Sequence, residues 1–263
     1  MIRRTIVLTL ASVAGLLMLC WPLIVHGEQV QPPFVFLAIL PVILLVVLAE
    51  LTDGGWDPRL LAILGILSAV EAVLRGISAG VAGVELVFFL LILAGRVFGA
   101  GFGFVLGCTG LLASALLTAG IGPWLPYQML VSGWVGLGAG LLPRARGRLE
   151  IAILAVYGVI AAYAYGTLLN LQGWPLMTGV AVPGHQGSLD FAPYESIGHN
   201  LATFARYDVL TSLGWDTGRA VTSVLALLVL GPAILTTLRR AARRATVTGT
   251  VSDAPRVPSA PPA

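Results

Sequence analysis

Lysine is absent from this chain, and charge of either sign is scarce: 10% of its 263 residues are charged, where soluble domains carry about 25%. Without lysine there can be no Gly-Lys-Ser/Thr phosphate loop and no Schiff-base or pyridoxal chemistry, so the chain is not an ATPase of the P-loop class. The fifteen basic residues are all arginine, against six aspartates and six glutamates, and the resulting charge of +3 is too small to mark a nucleic-acid partner. Cysteine is nearly missing too. Cys20 and Cys108 stand inside apolar runs, form no Cys-x-x-Cys and read as small packing residues.

Apolar residues are plentiful, at 57% with a mean hydropathy of +0.94, a composition suited to lipid. A bilayer core about 30 Å thick needs roughly 20 apolar residues in a helix. Eight runs approach that length: 6–25, 34–51, 60–77, 84–98, 101–119, 125–142, 151–171 and 220–238. The expectation is an all-α polytopic membrane protein, a helical bundle of about eight transmembrane helices. Positive residues in short loops stay cytoplasmic, and this fixes the direction. With the N-terminus inside, Arg3, Arg4, Arg59, Arg96, Arg144, Arg146, Arg148, Arg239, Arg240, Arg243, Arg244 and Arg256 fall on the cytoplasmic side, leaving Arg75, Arg206 and Arg219 outside. Both termini are therefore expected in the cytoplasm. The first run follows Met1-Ile2-Arg3-Arg4 like a signal peptide, but its length and the lack of an Ala-x-Ala site favour an uncleaved anchor.

Segment 194–213 has a helical pattern yet carries Glu195, His199, Arg206 and Asp208. A span there would put the 239–244 arginines outside, so it is expected as an interfacial or partly re-entrant piece of a long outer loop. Small residues and prolines from 245 onward predict a disordered cytoplasmic tail. Glycine recurs at Gly99, Gly103 and Gly107 and again at Gly136 and Gly140, a spacing that lets helix backbones touch within the bundle. Ala62, Gly65 and Ala69 form a similar stripe on the third run, which serves a partner helix as well as an internal one. Glu71 and Arg75, four apart on that run, are expected to pair, with a substrate role as the alternative.

Polar and aromatic residues gather at the outer ends of the runs, where a cavity would make them functional. Trp124, Tyr127 and Gln128 follow a proline-stiffened turn, Asn170, Gln172 and Trp174 close the seventh run, and Trp215, Asp216 and Arg219 open the eighth. An interfacial aromatic belt would account for Trp124 and Tyr127 but not for Gln128. His26, His185 and His199 match no metal motif, and no Gly-x-Ser-x-Gly elbow is present. No catalytic residue, metal ligand or cofactor is assigned.

The small-residue third run, the stretch Phe88-Phe89-Leu90-Leu91-Ile92-Leu93-Ala94-Gly95-Arg96-Val97-Phe98-Gly99, and a glycine-rich run ending in Gly122-Pro123-Trp124-Leu125-Pro126-Tyr127-Gln128-Met129 together resemble the substrate-binding S components of energy-coupling factor (ECF) transporters. The turn is similar to that of the cobalamin-type branch. The resemblance implies a six-helix substrate-binding core over 59–244, an additional N-terminal helix pair over 1–58 and a tail over 245–263. It also implies a partner-docking stripe at Ala62, Gly65 and Ala69. An outward vitamin site is implied at Trp124, Tyr127, Gln128, Asn170, Trp174, Trp215 and Asp216. The implied setting is a bacterial plasma membrane, with a transmembrane coupling subunit (the T component) and two ATPases as partners and cobalamin or a related corrinoid as substrate. The alternative is a stand-alone secondary transporter or channel, which would show midplane charges or an inverted repeat of broken helices.

Overall fold

A computed structural model describes residues 2–24, 43, 47, 51, 56–78, 83–177, 179, 182 and 186–247. Among them the regular structure is helical. In chain order the helices are α1 (Ile2–Leu19), a short α2 (Trp21–Ile24), α3 (Pro58–Ser78), α4 (Val87–Phe98), α5 (Ala100–Leu117), α6 (Leu125–Leu141), α7 (Gly147–Gly173) with a 3-10 turn at Trp174–Leu176, α8 (Ile197–Val229) and α9 (Gly231–Val247). The chain is an all-helical membrane bundle. Three helices, α3, α5 and α7, are each long and apolar enough to cross a bilayer, and α8 with α9 passes as a bent pair. The expected second run lies outside the described residues except for Ile43, Val47 and Leu51; the first two are buried. Most of the predicted tail, together with His26 and His185, is outside them as well.

The short α4 sits at the centre. Every residue from Val87 to Gly95 is buried, with α3, α5, α6, α7, α8 and α9 packed around it. Its 12 residues span only about 18 Å, and burial by protein rather than lipid allows that. Gly99 separates it from α5 with φ 96°, a left-handed conformation that glycine adopts without strain.

Helices α5 and α6 meet backbone to backbone. A Cβ on Gly103 would lie 2.9 Å from the Gly136 Cα, one on Gly107 would strike the Ser132 and Gly133 backbone, and one on Gly140 would strike Gly99 and Ala100. Four of the five spaced glycines thus pack within the chain, while Gly99 serves the reversal instead.

At one end of the bundle, the buried Glu150 carboxylate accepts from Arg96 Nε at 2.8 Å and from Arg239 at 2.6 Å. Arg96 also donates to the Leu142 carbonyl at 2.8 Å, tying α4, α6, α7 and α9 together. Arg59 reaches the Arg244 carbonyl at the same end. Arg75 lies about 25 Å further along α3, so these arginines separate into two ends as the charge pattern predicts.

Three expectations need correction. Segment 194–213 is not, beyond residue 196, part of a loop: from Ile197 it belongs to α8, a continuous helix of 33 residues. At about 50 Å, α8 exceeds the bilayer core and carries its polar first half beyond or against its neighbours. The last run is likewise not one straight span, because the chain bends by 68° at the break before Gly231-Pro232. Nor do Glu71 and Arg75 pair. Glu71 turns inward against Gly110, where a side chain would collide with its carboxylate, and its oxygens have no hydrogen-bond partner. Arg75 turns outward, where polar acceptors await it.

Candidate functional site

The N-terminal end of α6, the C-terminal end of α7 and the middle of α8 converge on a two-lobed pocket, away from the end of the bundle that holds Glu150. One lobe, of about 250 Å³, is lined by residues that include Arg75, Glu85, Gln128, Asn170, Asp216 and Arg219. The other, of about 270 Å³, includes Trp124, Gln128, Gln172, Met177 and Tyr207. Gln128, Leu169 and Asn170 line both, so the lobes are contiguous. About 20 Å of helix separates Asp216 from the end of α8 at Val229, which puts the floor of the pocket inside the bundle rather than in a loop. A larger apolar groove of about 860 Å³ separates α1 from α5 and α6, but it lacks the convergent polar groups that orient a solute.

Local sequence explains how each wall is held. Pro126 sits in the first turn of α6, where its missing N–H costs nothing. Gly122 has no side chain, so the Trp124 ring can fold over it, leaving Trp124 51% exposed at the rim. On α8, Ser196 caps the helix by accepting from the His199 backbone N–H at 3.2 Å. Asp208 accepts from Thr167 at 2.9 Å and from Asn170 Nδ2 at 2.6 Å, and Asn170 also donates to Ser212. Gly166 leaves room for the Asp216 carboxylate against α7.

Arg219 is the central ion of this wall. It pairs with Glu85 and, at 2.5 Å, with Asp216, and it donates to the Ala162 carbonyl at 3.2 Å. Its guanidinium also lies over the Tyr165 ring, 4.9 Å from the centroid. On the facing side Arg75 donates to Gln128 Oε1 at 2.9 Å and to Ser114 at 3.4 Å.

Of the seven substrate residues expected, Trp124, Gln128, Asn170, Trp215 and Asp216 line the pocket. Tyr127 and Trp174 do not. Tyr127 is buried in the main core, whereas Trp174 is fully buried in a small second core with Leu171, Leu189, Phe204 and Tyr207, donating to the Leu189 carbonyl at 2.7 Å. Trp21 donates to the Gln172 carbonyl at 3.3 Å, so the end of the first run reaches the pocket's surroundings. Glu85 and Ser212 carry no sequence signal for the site, Arg75 enters the sequence reading with a substrate role only as the alternative to pairing with Glu71, and Arg219 only as a neighbour of Asp216. Apart from the i,i+3 pair of Asp216 and Arg219, their contacts join segments distant in the chain and leave no local signal.

Ala62, Gly65 and Ala69 are all exposed on α3, and a Cβ on Gly65 would meet nothing within 4 Å. The stripe has no helix against it among the described residues, while the opposite face of α3 buries Leu64, Leu67, Ser68 and Glu71.

Comparison with curated proteins and with solved structures returned no match. The family model described as ECF transporter, substrate-specific component, matches residues 59–248, from the start of α3 through α9. With that match over the helices that build the pocket, the chain belongs to the substrate-specific components of ECF transporters, the membrane subunits that bind the substrate.

Proposed function

We propose that this chain captures a vitamin at the outer face of a bacterial plasma membrane, with both termini in the cytoplasm, for import driven by partner proteins. The observation that carries this reading is the convergence of Trp124, Gln128, Asn170, Trp215 and Asp216 on one outer pocket within the family-matched region. These five contact the substrate, while Tyr127 and Trp174 hold the wall from behind. The exposed stripe at Ala62, Gly65 and Ala69 receives the transmembrane coupling subunit, since small residues permit close helix approach. Two ATPases bound to that subunit supply the energy, and the loaded chain topples in the bilayer to release its cargo inside.

The Gly122–Met129 turn supports cobalamin or a related corrinoid as the cargo. Lobes of about 250 and 270 Å³ favour a more compact vitamin, because a corrin ring with its side chains exceeds them. Equilibrium binding of cobalamin against compact vitamins decides between the two.

Purification of the native complex tests the whole reading. Co-purification with a coupling protein and two ATPases is the expected outcome, and the isolated chain should bind substrate without hydrolysing ATP. A lone homo-oligomer that transports unaided would replace it with a secondary transporter.

A further inference from the structure

The outer pocket is electrically divided. Arg75 lines one side, and among the described residues no carboxylate pairs with it; its bonds go to Gln128 and Ser114. Arginine can only donate, so Gln128 must present its Oε1 to Arg75 and keep its amide hydrogens for the cavity. That side therefore offers donors and positive charge.

The facing side is the reverse. One guanidinium, Arg219, is shared by two carboxylates, Glu85 and Asp216, leaving an excess of negative charge. Asn170 spends its Nδ2 hydrogens on Asp208 and Ser212, so its carbonyl oxygen is the group left for a solute. Acceptors and negative charge prevail here. Between the two sides lies a space of about 250 Å³ that opens into the lobe carrying Trp124, Met177 and Tyr207.

We propose that this pocket takes a small bipolar molecule, with a carboxylate held by Arg75 and Gln128 and a protonated nitrogen held by Glu85 and Asp216. The inference rests on the capture reading above and narrows its substrate class. A neutral solute would leave Arg75 desolvated without a counter-charge, and a purely cationic one would add to that cost. The aromatic lobe then holds the apolar part of the same molecule.

The test uses the full chain in lipid nanodiscs, incubated with an equimolar pool of the water-soluble vitamins and the twenty amino acids, and read by native mass spectrometry. The retained compound should carry both an acidic group and a basic nitrogen. Arg75→Gln should weaken its binding about tenfold or more, as loss of a charged hydrogen bond does, with Arg75→Lys recovering part of the affinity. Glu85→Gln should weaken it independently. Thermal unfolding of each variant separates loss of binding from loss of fold. Retention of a neutral or purely cationic compound, or undiminished binding by a folded Arg75→Gln chain, overturns the bipolar assignment and leaves capture intact. A wild-type chain that retains nothing overturns both.

Discussion

Two helix pairs in this molecule solve the problem of contact in lipid by opposite means. The α5–α6 pair removes side chains until backbones touch, through Gly103, Gly107, Gly136 and Gly140. The α7–α8 pair keeps its side chains and makes them polar, linking Thr167 and Asn170 to Asp208, Tyr163 to Thr217, and the Ala162 carbonyl to Arg219. Neither strategy draws on the hydrophobic effect, which is weak between helices already in lipid. A glycine seam gives a rigid wall with nothing to offer a solute. A polar seam gives directional groups, and the pocket opens along it.

The seams should fail differently. Gly136→Leu is the severest test, because its side chain would enter the Gly103 backbone, whose Cα already lies 2.8 Å from an added Cβ. A loss of about 3 kcal/mol or more is expected, seen as aggregation in detergent size-exclusion chromatography; a normally folded variant would show that the seam is loose. Asp208→Ala on the polar seam should cost about 2 kcal/mol by stranding Thr167 and Asn170, measured as a lowered midpoint of thermal unfolding with substrate binding weakened in parallel. Gly166→Ala should be milder, about 1 kcal/mol. Its methyl would push the Asp216 carboxylate from its place beside Arg219, so binding should fall more than stability.

The smallest change in stability is expected at Gly65→Leu. An open site there predicts an effect within about 0.5 kcal/mol. Co-purification of the coupling subunit should nonetheless drop while substrate binding is unchanged. Loss of binding with docking preserved would assign that face of α3 to the substrate.

The contrast between seams also explains what could be read in advance. Helices α3, α5, α6 and α7 begin and end within about four residues of their apolar runs, because lipid-facing helices are written in composition. The glycine contacts were equally legible, as a four-residue spacing has few other uses. Helix α8 was not. Its Asp208 and Arg206 suggested a loop, and only the placement of Thr167 and Asn170 on α7 makes Asp208 tolerable in a helix. Similarly, Glu71 lies four residues before Arg75, and that spacing alone favours pairing; Gly110 on α5 and Gln128 on α6 draw the two apart. The pocket's rim was visible as a cluster of tryptophan and amide residues. Its charged floor was legible only in Asp216 and Arg219, because Glu85 comes from the segment before α4, far from α8 in the chain.

The central claim is that the pocket faces the exterior. With Cys20 and Cys108 replaced by alanine, Trp124→Cys places a single thiol at the exposed rim. Intact cells treated with a membrane-impermeant maleimide should label this position without permeabilisation. Labelling that appears only once the cytoplasm is opened to the reagent would turn the molecule over and contradict the account.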